Sequence, residues 1–178
     1  MSLFVGLLLS CFLTALPLYA DGIAIELEYG ETYSSRFSVT TADKESIKNQ
    51  IEYLIRSTME RDFSKLPEHV HPQKGLYVDL KGFMDLQSLK KEIFEENSYF
   101  SVYFFDTNKL RSQKKTDNVR TVRDLLVLSG GLTLDFHFES ASYVEVKMRF
   151  KKNKLYESEL NNPIFVKEKG VWYIYRLF

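Results

Sequence analysis

Residues 132–150 hold two stretches of strict alternation around a short polar turn, and this pattern constrains the fold more than any other feature. Apolar side chains occupy every second position: Leu132, Leu134, Phe136, Phe138, Val144, Val146, Met148 and Phe150. Such alternation is typical of strands with one buried face. With residues 140–142 as the connecting loop, it predicts an antiparallel hairpin in which Phe136 lies opposite Val146.

The second face of this hairpin is charged. The same register places Asp135 opposite Lys147 and His137 opposite Glu145. Carboxylates beside an imidazole raise its pKa, so the group would suit acid–base chemistry in a pocket. The alternative is a solvated sheet face with cross-strand charge pairs, which the strict alternation favours.

Helical patterns precede the hairpin. Residues 40–43 resemble a capping box, and Ile47, Ile51, Leu54, Ile55 and Met59 follow at helical spacing. A second capping box at residues 121–124 and the pair Gly130-Gly131 predict a helix over residues 122–129. Weaker patterns predict helices over residues 63–70 and 85–95, and Phe94 is expected to lie on the buried side of the second helix. Strands are predicted over residues 76–80 and 99–105, followed by a polar loop over residues 106–118.

The two ends of the domain also carry strand patterns. Residues 23–29 alternate, Gly30 is expected to end that strand, and residues 33–39 are expected to return as another. A closing hairpin is predicted from residues 164–168 and 171–178. The expected fold is α+β, with N-terminal helices packed on a curved antiparallel β-sheet. It forms one domain over residues 21–178, of which residues 21–40 are an N-terminal strand extension.

Two segments carry a resemblance to a known superfamily. Residues 61–66 (RDFSKL) and 70–76 (VHPQKGL) resemble a helix end and turn found in uncharacterised exported bacterial proteins of the nuclear-transport-factor-2-like (cystatin-like) superfamily. Residues 171–174 (VWYI) resemble the final strand of those proteins. The resemblance implies three N-terminal helices wrapped by a cone-shaped sheet. Proteins of this architecture include ketosteroid isomerase and small hydratases, which act on apolar substrates inside the cone.

The first twenty residues contain no charged side chain and predict export. Residues 3–16 have the length of a signal-peptide core, and residues 18–20 form an acceptable cleavage site, so residues 1–20 are interpreted as a signal peptide. Two alternatives remain: an uncleaved membrane anchor, and lipidation of Cys11 as in a lipoprotein. Each predicts an exported protein of the periplasm or cell envelope.

Composition and motifs limit the kinds of chemistry that the protein is expected to perform. Cys11 is the only cysteine, so the mature domain is expected to be free of disulfides. Lys plus Arg equals Asp plus Glu at 24 each, which argues against nucleic-acid binding. The two imidazoles of His69 and His71 are close enough to suggest a metal site, but Pro67 and Pro72 favour a surface histidine and a turn-capping histidine. The familiar nucleophile and phosphate-loop motifs are absent, and no catalytic residue, cofactor or metal is assigned.

These observations favour a non-catalytic binding or interaction module. Its partner would be a protein, a glycan or a small apolar ligand. The candidate binding residues are Asp135 and His137 on the charged face, with Tyr103 and Trp172 among the aromatic side chains that would line a pocket. The alternative is a small pocket enzyme doing acid–base chemistry on an apolar substrate, as in isomerases and hydratases. A third hypothesis is a homodimer formed through the exposed sheet face.

Overall fold

The structure, a computed structural model, describes residues 18–20, 23–34, 37–78 and 82–178. Within these ranges the strands are β1 (Leu18–Ala20), β2 (Ile23–Ile25), β3 (Leu27–Ser34), β4 (Leu76–Tyr77), β5 (Phe83–Met84), β6 (Leu132–Ser140), β7 (Tyr143–Phe150), β8 (Ile164–Glu168) and β9 (Val171–Arg176). The helices are α1 (Thr41–Glu60), α2 (Leu66–His69), α3 (Leu86–Glu92), α4 (Thr107–Lys114) and α5 (Val122–Ser129). A π-helix covers Phe100–Phe105 and a 3₁₀-helix covers Lys154–Glu159.

Seven of these strands form one mixed sheet in the order β3-β6-β7-β8-β9-β4-β5, while β1 and β2 pair separately. From β6 to β9 each strand is antiparallel to the next. However, β3 is parallel to β6 and β4 is parallel to β9, so the expected all-antiparallel sheet is wrong at these two pairings. Both parallel pairs are joined by long connections containing helices, which permit either direction. The fold is therefore α+β with a mixed sheet.

The β6–β7 hairpin has the predicted register. Phe136 pairs with Val146, and His137 pairs with Glu145. The turn is tighter than expected, because the register shifts after Phe138 and Ser140 pairs directly with Tyr143. In the β8–β9 hairpin the two turn residues, Lys169 and Gly170, have φ of 49° and 85°. Positive φ at both positions matches the twist of a tight two-residue hairpin turn.

Helix α1 supplies the helical side of the core, as its spacing predicts. Ile47, Ile51, Leu54, Ile55 and Met59 are each at most 1% exposed. They belong to one hydrophobic cluster that also contains the apolar face of β6 and β7 and extends from Ile25 to Phe178. The helix begins where expected, because the Thr40 hydroxyl accepts a hydrogen bond from the Asp43 backbone N–H at 3.1 Å.

The start of α1 is tied to the β8–β9 hairpin through Asp43. One oxygen of its carboxylate accepts hydrogen bonds from Trp172 Nε1 at 2.8 Å and from Lys167 Nζ at 2.5 Å. The other oxygen accepts one from the Thr40 hydroxyl at 2.8 Å. Burial opposes ionisation of Asp43, but these hydrogen bonds outweigh it and lower its pKa to about 2.

The aromatic run that predicted a strand over residues 99–105 is helical instead. Phe100 and Phe104 lie one helical turn apart with their rings tilted and the ring centroids 5.5 Å apart, and their centroids lie 5.0 and 5.3 Å from that of Phe63. The strand preference of aromatic residues is mainly a preference for packing on a half-buried surface. Here the packing surface is around Phe63, and a helix brings more rings to it than a strand would.

Several boundaries differ from the sequence prediction. The polar segment 106–118 contains α4, which begins because the Asp106 carboxylate accepts from the backbone N–H groups of Asn108 and Lys109. Strand β3 continues through Gly30 to Ser34, so the predicted strand end at Gly30 is wrong. Of the second strand predicted over residues 33–39, residues 33–34 belong to β3, residues 35–36 lie outside the described residues, and residues 37–39 are not in a strand. The helices predicted over residues 63–70 and 85–95 are shorter, and Phe94 is 75% exposed, since α3 ends before it.

The predicted signal peptide lies almost wholly outside the described residues, of which only β1 falls within it. Residues 79–80 of the predicted strand 76–80 also lie outside them. Among the described residues, no helix is both long and apolar enough to cross a membrane.

Candidate functional site

The charged side of β6 and β7 forms the outer face of the sheet, opposite the hydrophobic cluster. Leu134, Phe136 and Phe138 belong to that cluster, so Asp135 and His137, which alternate with them, point to the other side. The register pairs them with Lys147 and Glu145, as predicted. This outer face brings two of the four candidate residues together.

Asp135 is only 2% exposed, although it lies on the outer face. One carboxylate oxygen accepts a hydrogen bond from the backbone N–H of Glu31 at 3.0 Å, and the other forms an ion pair with Arg149. Its cross-strand neighbour Lys147 is not the ion-pair partner. Gly30 allows the close approach of β3, because a Cβ atom there would lie 2.1 Å from Asp135 Oδ1. Asp135 therefore fixes an edge strand, and both of its oxygens are occupied.

His137 is covered by an aromatic ring from β3. The Tyr33 ring stacks on the imidazole with centroids 4.5 Å apart and planes 19° apart. Nε2 of His137 is buried and has no hydrogen-bond partner among the described residues. Tyr33 itself is 43% exposed, and its hydroxyl donates to Glu31, which raises the pKa of the phenol. The outer face thus presents an aromatic ring to solvent above a histidine.

Two open grooves meet on this face at Glu145. The first, called here the Tyr33 groove, measures about 710 Å³ and is lined by Thr32, Tyr33, Ser34, His137, Phe138, Glu139 and Glu145. The second, called the Asn162 groove, measures about 450 Å³ and is lined by Glu145, Lys147, Met148, Lys154, Glu157, Ser158, Leu160, Asn161, Asn162 and Arg176. Both volumes are within the range of about 300–1,000 Å³ that is typical of small-ligand sites.

Hydrogen bonds hold the polar side chains of the Asn162 groove in place. Asn162 Oδ1 accepts from the Met148 backbone N–H at 3.2 Å, where β8 no longer pairs with β7. Its Nδ2 donates to Glu145 Oε1 at 2.9 Å. The Arg176 guanidinium donates to the backbone oxygen of Asn162 at 2.8 and 3.1 Å and to Glu145 at 3.4 Å. The groove is therefore lined by planar polar groups with fixed orientations.

The other two candidate residues lie elsewhere. Tyr103 is in the π-helix, where it stacks on Tyr99 with centroids 4.8 Å apart and lies 5.2 Å from the Lys114 ammonium. Trp172 lies on the core side of β9, is 2% exposed, and donates a hydrogen bond to Asp43. Trp172 is thus a core residue, and the structure does not bring either residue together with Asp135 and His137.

The two histidines of the 69–71 segment have separate surroundings. His69 stacks on Tyr53 with centroids 3.8 Å apart, its Nδ1 lies 2.8 Å from Gln50 Oε1, and burial lowers its pKa. His71 is buried, and its Nδ1 accepts backbone hydrogen bonds from Gln73 and Lys74 at 3.1 and 3.0 Å. In the described part of the chain, no three His, Cys, Asp or Glu side chains are grouped to hold a metal ion.

The predicted turn-capping role of His71 is confirmed, and it can be tested by substitution. Its Nε2 lies 2.7 Å from Glu168, so Nδ1 is the acceptor and Nε2 carries the proton. His71→Ala is expected to lower the free energy of unfolding by about 1–2 kcal/mol, because two backbone N–H groups lose their acceptor. His71→Asn should lower it less, since an Asn side chain also accepts from the backbone two residues on. Urea unfolding of the natural chain and the two variants measures their order of stability. Equal losses for both variants would contradict the expected order.

Comparison of the chain with protein-family models, curated proteins and solved structures gave no match. Its site is accordingly interpreted from its own geometry.

Sequence reasoning missed several residues that build the outer face. Gly30 had a usable signal, because an isolated glycine inside an alternating pattern indicates a bulge or a close backbone approach. Arg149 also had one, since it lies diagonally across from Asp135 on the paired strand. Asn162 and Arg176 had none. They come from a loop and from β9, and only the tertiary fold brings them to Glu145.

Proposed function

We propose that the protein is an exported, non-catalytic binding module of the bacterial periplasm or cell envelope, and that its binding site is the outer sheet face. The observation that carries this proposal is the position of Asp135 and His137. Both lie on the face opposite the hydrophobic cluster, and the Asp135 carboxylate already accepts a hydrogen bond from Glu31 and forms an ion pair with Arg149. An isomerase or hydratase of the expected kind would need such a group among the apolar side chains that hold its substrate.

The buried aromatic side chains also support a surface site. The largest fully buried side chains are aromatic: Trp172, Phe100, Phe104, Phe136, Phe150 and Phe165. They pack in the hydrophobic cluster with helix α1. Aromatic side chains that fill a core contribute to stability and leave their space unavailable to a ligand. The two grooves on the outer face are open by contrast, and polar groups line them.

We further propose that the chain is a distant member of the nuclear-transport-factor-2-like superfamily. Helices α1, α2 and α3 precede β6, and α1 packs against the core side of a sheet in which β6 to β9 are sequential neighbours. These features agree with the plan that the segments at residues 61–66 and 70–76 imply. The parallel addition of β3 beside β6 would be a departure from the minimal plan.

Export is tested with the full chain expressed in a bacterium and separated into cytoplasmic and envelope fractions. We expect the intact mass of the exported form to correspond to residues 21–178, because Ala20 precedes the expected cleavage point. Cleavage there would remove β1 and leave the seven-stranded sheet complete. A protein retained at full length in the cytoplasm would contradict the proposal. Cys11→Ser is the control, since a lipidated protein would require the thiol and a protein cleaved after Ala20 would not.

A further inference from the structure

We propose that the Tyr33 groove and the Asn162 groove together bind a neutral oligosaccharide, with the Tyr33 ring as the surface on which one sugar ring stacks. This proposal rests on the proposed binding function and names the ligand class of the same site. Three features of the outer face support it: an exposed aromatic ring, equal numbers of carboxylates and cations over the two grooves taken together, and polar groups that are already oriented.

The aromatic ring is the first feature. One face of Tyr33 is against His137, and the side chain is still 43% exposed. A tyrosine presents an apolar ring with a polar tip, which suits a ligand that has both apolar and polar edges. The C–H bonds on one face of a sugar ring supply the apolar edge. Because His137 and the Glu31 contact already hold the ring in place, little side-chain freedom is lost when a ligand stacks on it.

The second feature is the balance of charge. Three carboxylates and three cations line the two grooves taken together, but they are distributed unevenly. The Tyr33 groove carries Glu139 and Glu145 and has no Lys or Arg among the described residues that line it, whereas Lys147, Lys154 and Arg176 line the Asn162 groove with Glu145 and Glu157. A sulfated or phosphorylated ligand that spans both grooves would meet the carboxylates of the Tyr33 groove, and a polycation would meet the three cations of the Asn162 groove. A neutral ligand with many hydroxyl groups avoids both costs, since each hydroxyl can donate to a carboxylate and accept from an ammonium or a guanidinium.

The third feature is preorganisation. Glu145 lies where the two grooves meet and is held by Asn162 and Arg176, while Asn162 is held by the Met148 backbone. Planar carboxylate, amide and guanidinium groups can each contact two neighbouring hydroxyls. Glu145 lines both grooves, so a ligand that occupies both must pass this residue and extend over more than one sugar ring.

The test is isothermal titration calorimetry of the exported protein, expressed as the full chain and purified in whatever form the cell leaves it. The probes are three neutral trisaccharides (cellotriose, maltotriose and tri-N-acetylchitotriose), a sulfated disaccharide and trilysine. We expect at least one neutral trisaccharide to bind and both charged probes to bind more weakly than it does. Tyr33→Ala is expected to weaken that binding about tenfold, and Tyr33→Phe to recover most of it, because the ring is retained. Phe83→Ala, which alters an exposed ring on β5 at the opposite edge of the sheet, should bind like the natural chain.

The glycan proposal is overturned if none of the neutral trisaccharides binds, if a charged probe binds more tightly than all of them, or if Tyr33→Ala binds as the natural chain does. Unchanged circular dichroism and melting temperature in Tyr33→Ala show that a loss of binding is local. Native mass spectrometry of the same preparations separates this proposal from the broader one. A co-purified non-glycan ligand that is lost in Tyr33→Ala would overturn the glycan proposal and would support the outer sheet face as the binding site. If neither experiment detects any ligand that depends on Tyr33, both proposals fall.

Discussion

Trp172→Ala is expected to lower the free energy of unfolding by about 3–5 kcal/mol. Trp172 is 2% exposed and meets Phe138 edge-on with ring centroids 6.0 Å apart. Alanine would leave a cavity between β9 and β6 and would remove the donor to Asp43. Urea unfolding followed by far-ultraviolet circular dichroism measures the loss, because Trp172 is the only tryptophan and its fluorescence disappears with it.

Trp172→Phe separates packing from the hydrogen bond. Phenylalanine retains most of the buried ring but cannot donate to Asp43, so the expected loss is about 1–2 kcal/mol. Lys167 and Thr40 remain as donors to the carboxylate. A loss as large as that of Trp172→Ala would contradict the division between packing and hydrogen bonding.

The pH dependence of stability gives an independent check on the same contact. The pKa of Asp43 is lowered from 3.8 to about 2 in the folded chain. A carboxyl whose pKa is lower in the folded than in the unfolded state stabilises the fold above its unfolded pKa, and this contribution is lost as the pH falls through the folded value. The natural chain should therefore lose stability between about pH 4 and pH 2. Trp172→Phe should lose less over that interval, since one of the hydrogen bonds that lower the pKa is gone.

The parts of the fold that could be predicted from the sequence are those encoded by local patterns. Helix α1 follows from its cap and apolar spacing, and α5 follows from its capping box and the left-handed Gly130. The β6–β7 register follows because a shift by one residue would turn every apolar side chain away from the core. Each of these signals involves residues that are close in the chain.

The parts that could not be predicted depend on contacts between distant residues. The π-helix forms because its rings reach Phe63, some forty positions earlier in the chain. Strand β3 joins the sheet by parallel pairing with β6, and where their register shifts Asp135 holds Glu31, which lies 104 positions away. The candidate site shows the same division. Alternation places Asp135 and His137 on one face, but the local pattern does not specify that β3 covers them. Nor does it specify that a loop and β9 bring Asn162 and Arg176 to the neighbouring Glu145.

A double-mutant cycle on Gly30 and Asp135 tests how the edge strand is held. Gly30→Ala is expected to lower the free energy of unfolding by about 1–3 kcal/mol, because the new Cβ would lie 2.1 Å from Asp135 Oδ1 and 3.1 Å from Thr133 Cγ2. Asp135→Ala should lower it by about 2–3 kcal/mol, since the Glu31 backbone N–H loses its acceptor. Arg149 is 48% exposed and can return to water, which keeps this loss below that of breaking a fully buried pair.

The double variant should cost less than the two single substitutions together, by about 1–2 kcal/mol, because the alanine at position 30 no longer collides with a carboxylate. Thr133→Ser is a suitable control partner for Gly30→Ala, since it removes the more distant Cγ2 contact and should restore much less stability than Asp135→Ala does. Hydrogen exchange of the β3 amides locates the effect, and faster exchange in β3 than in β8 is expected for each single variant. Strict additivity of Gly30→Ala and Asp135→Ala would mean that the carboxylate moves aside freely. In that case Asp135 would not be the residue that holds β3 against β6 at Glu31.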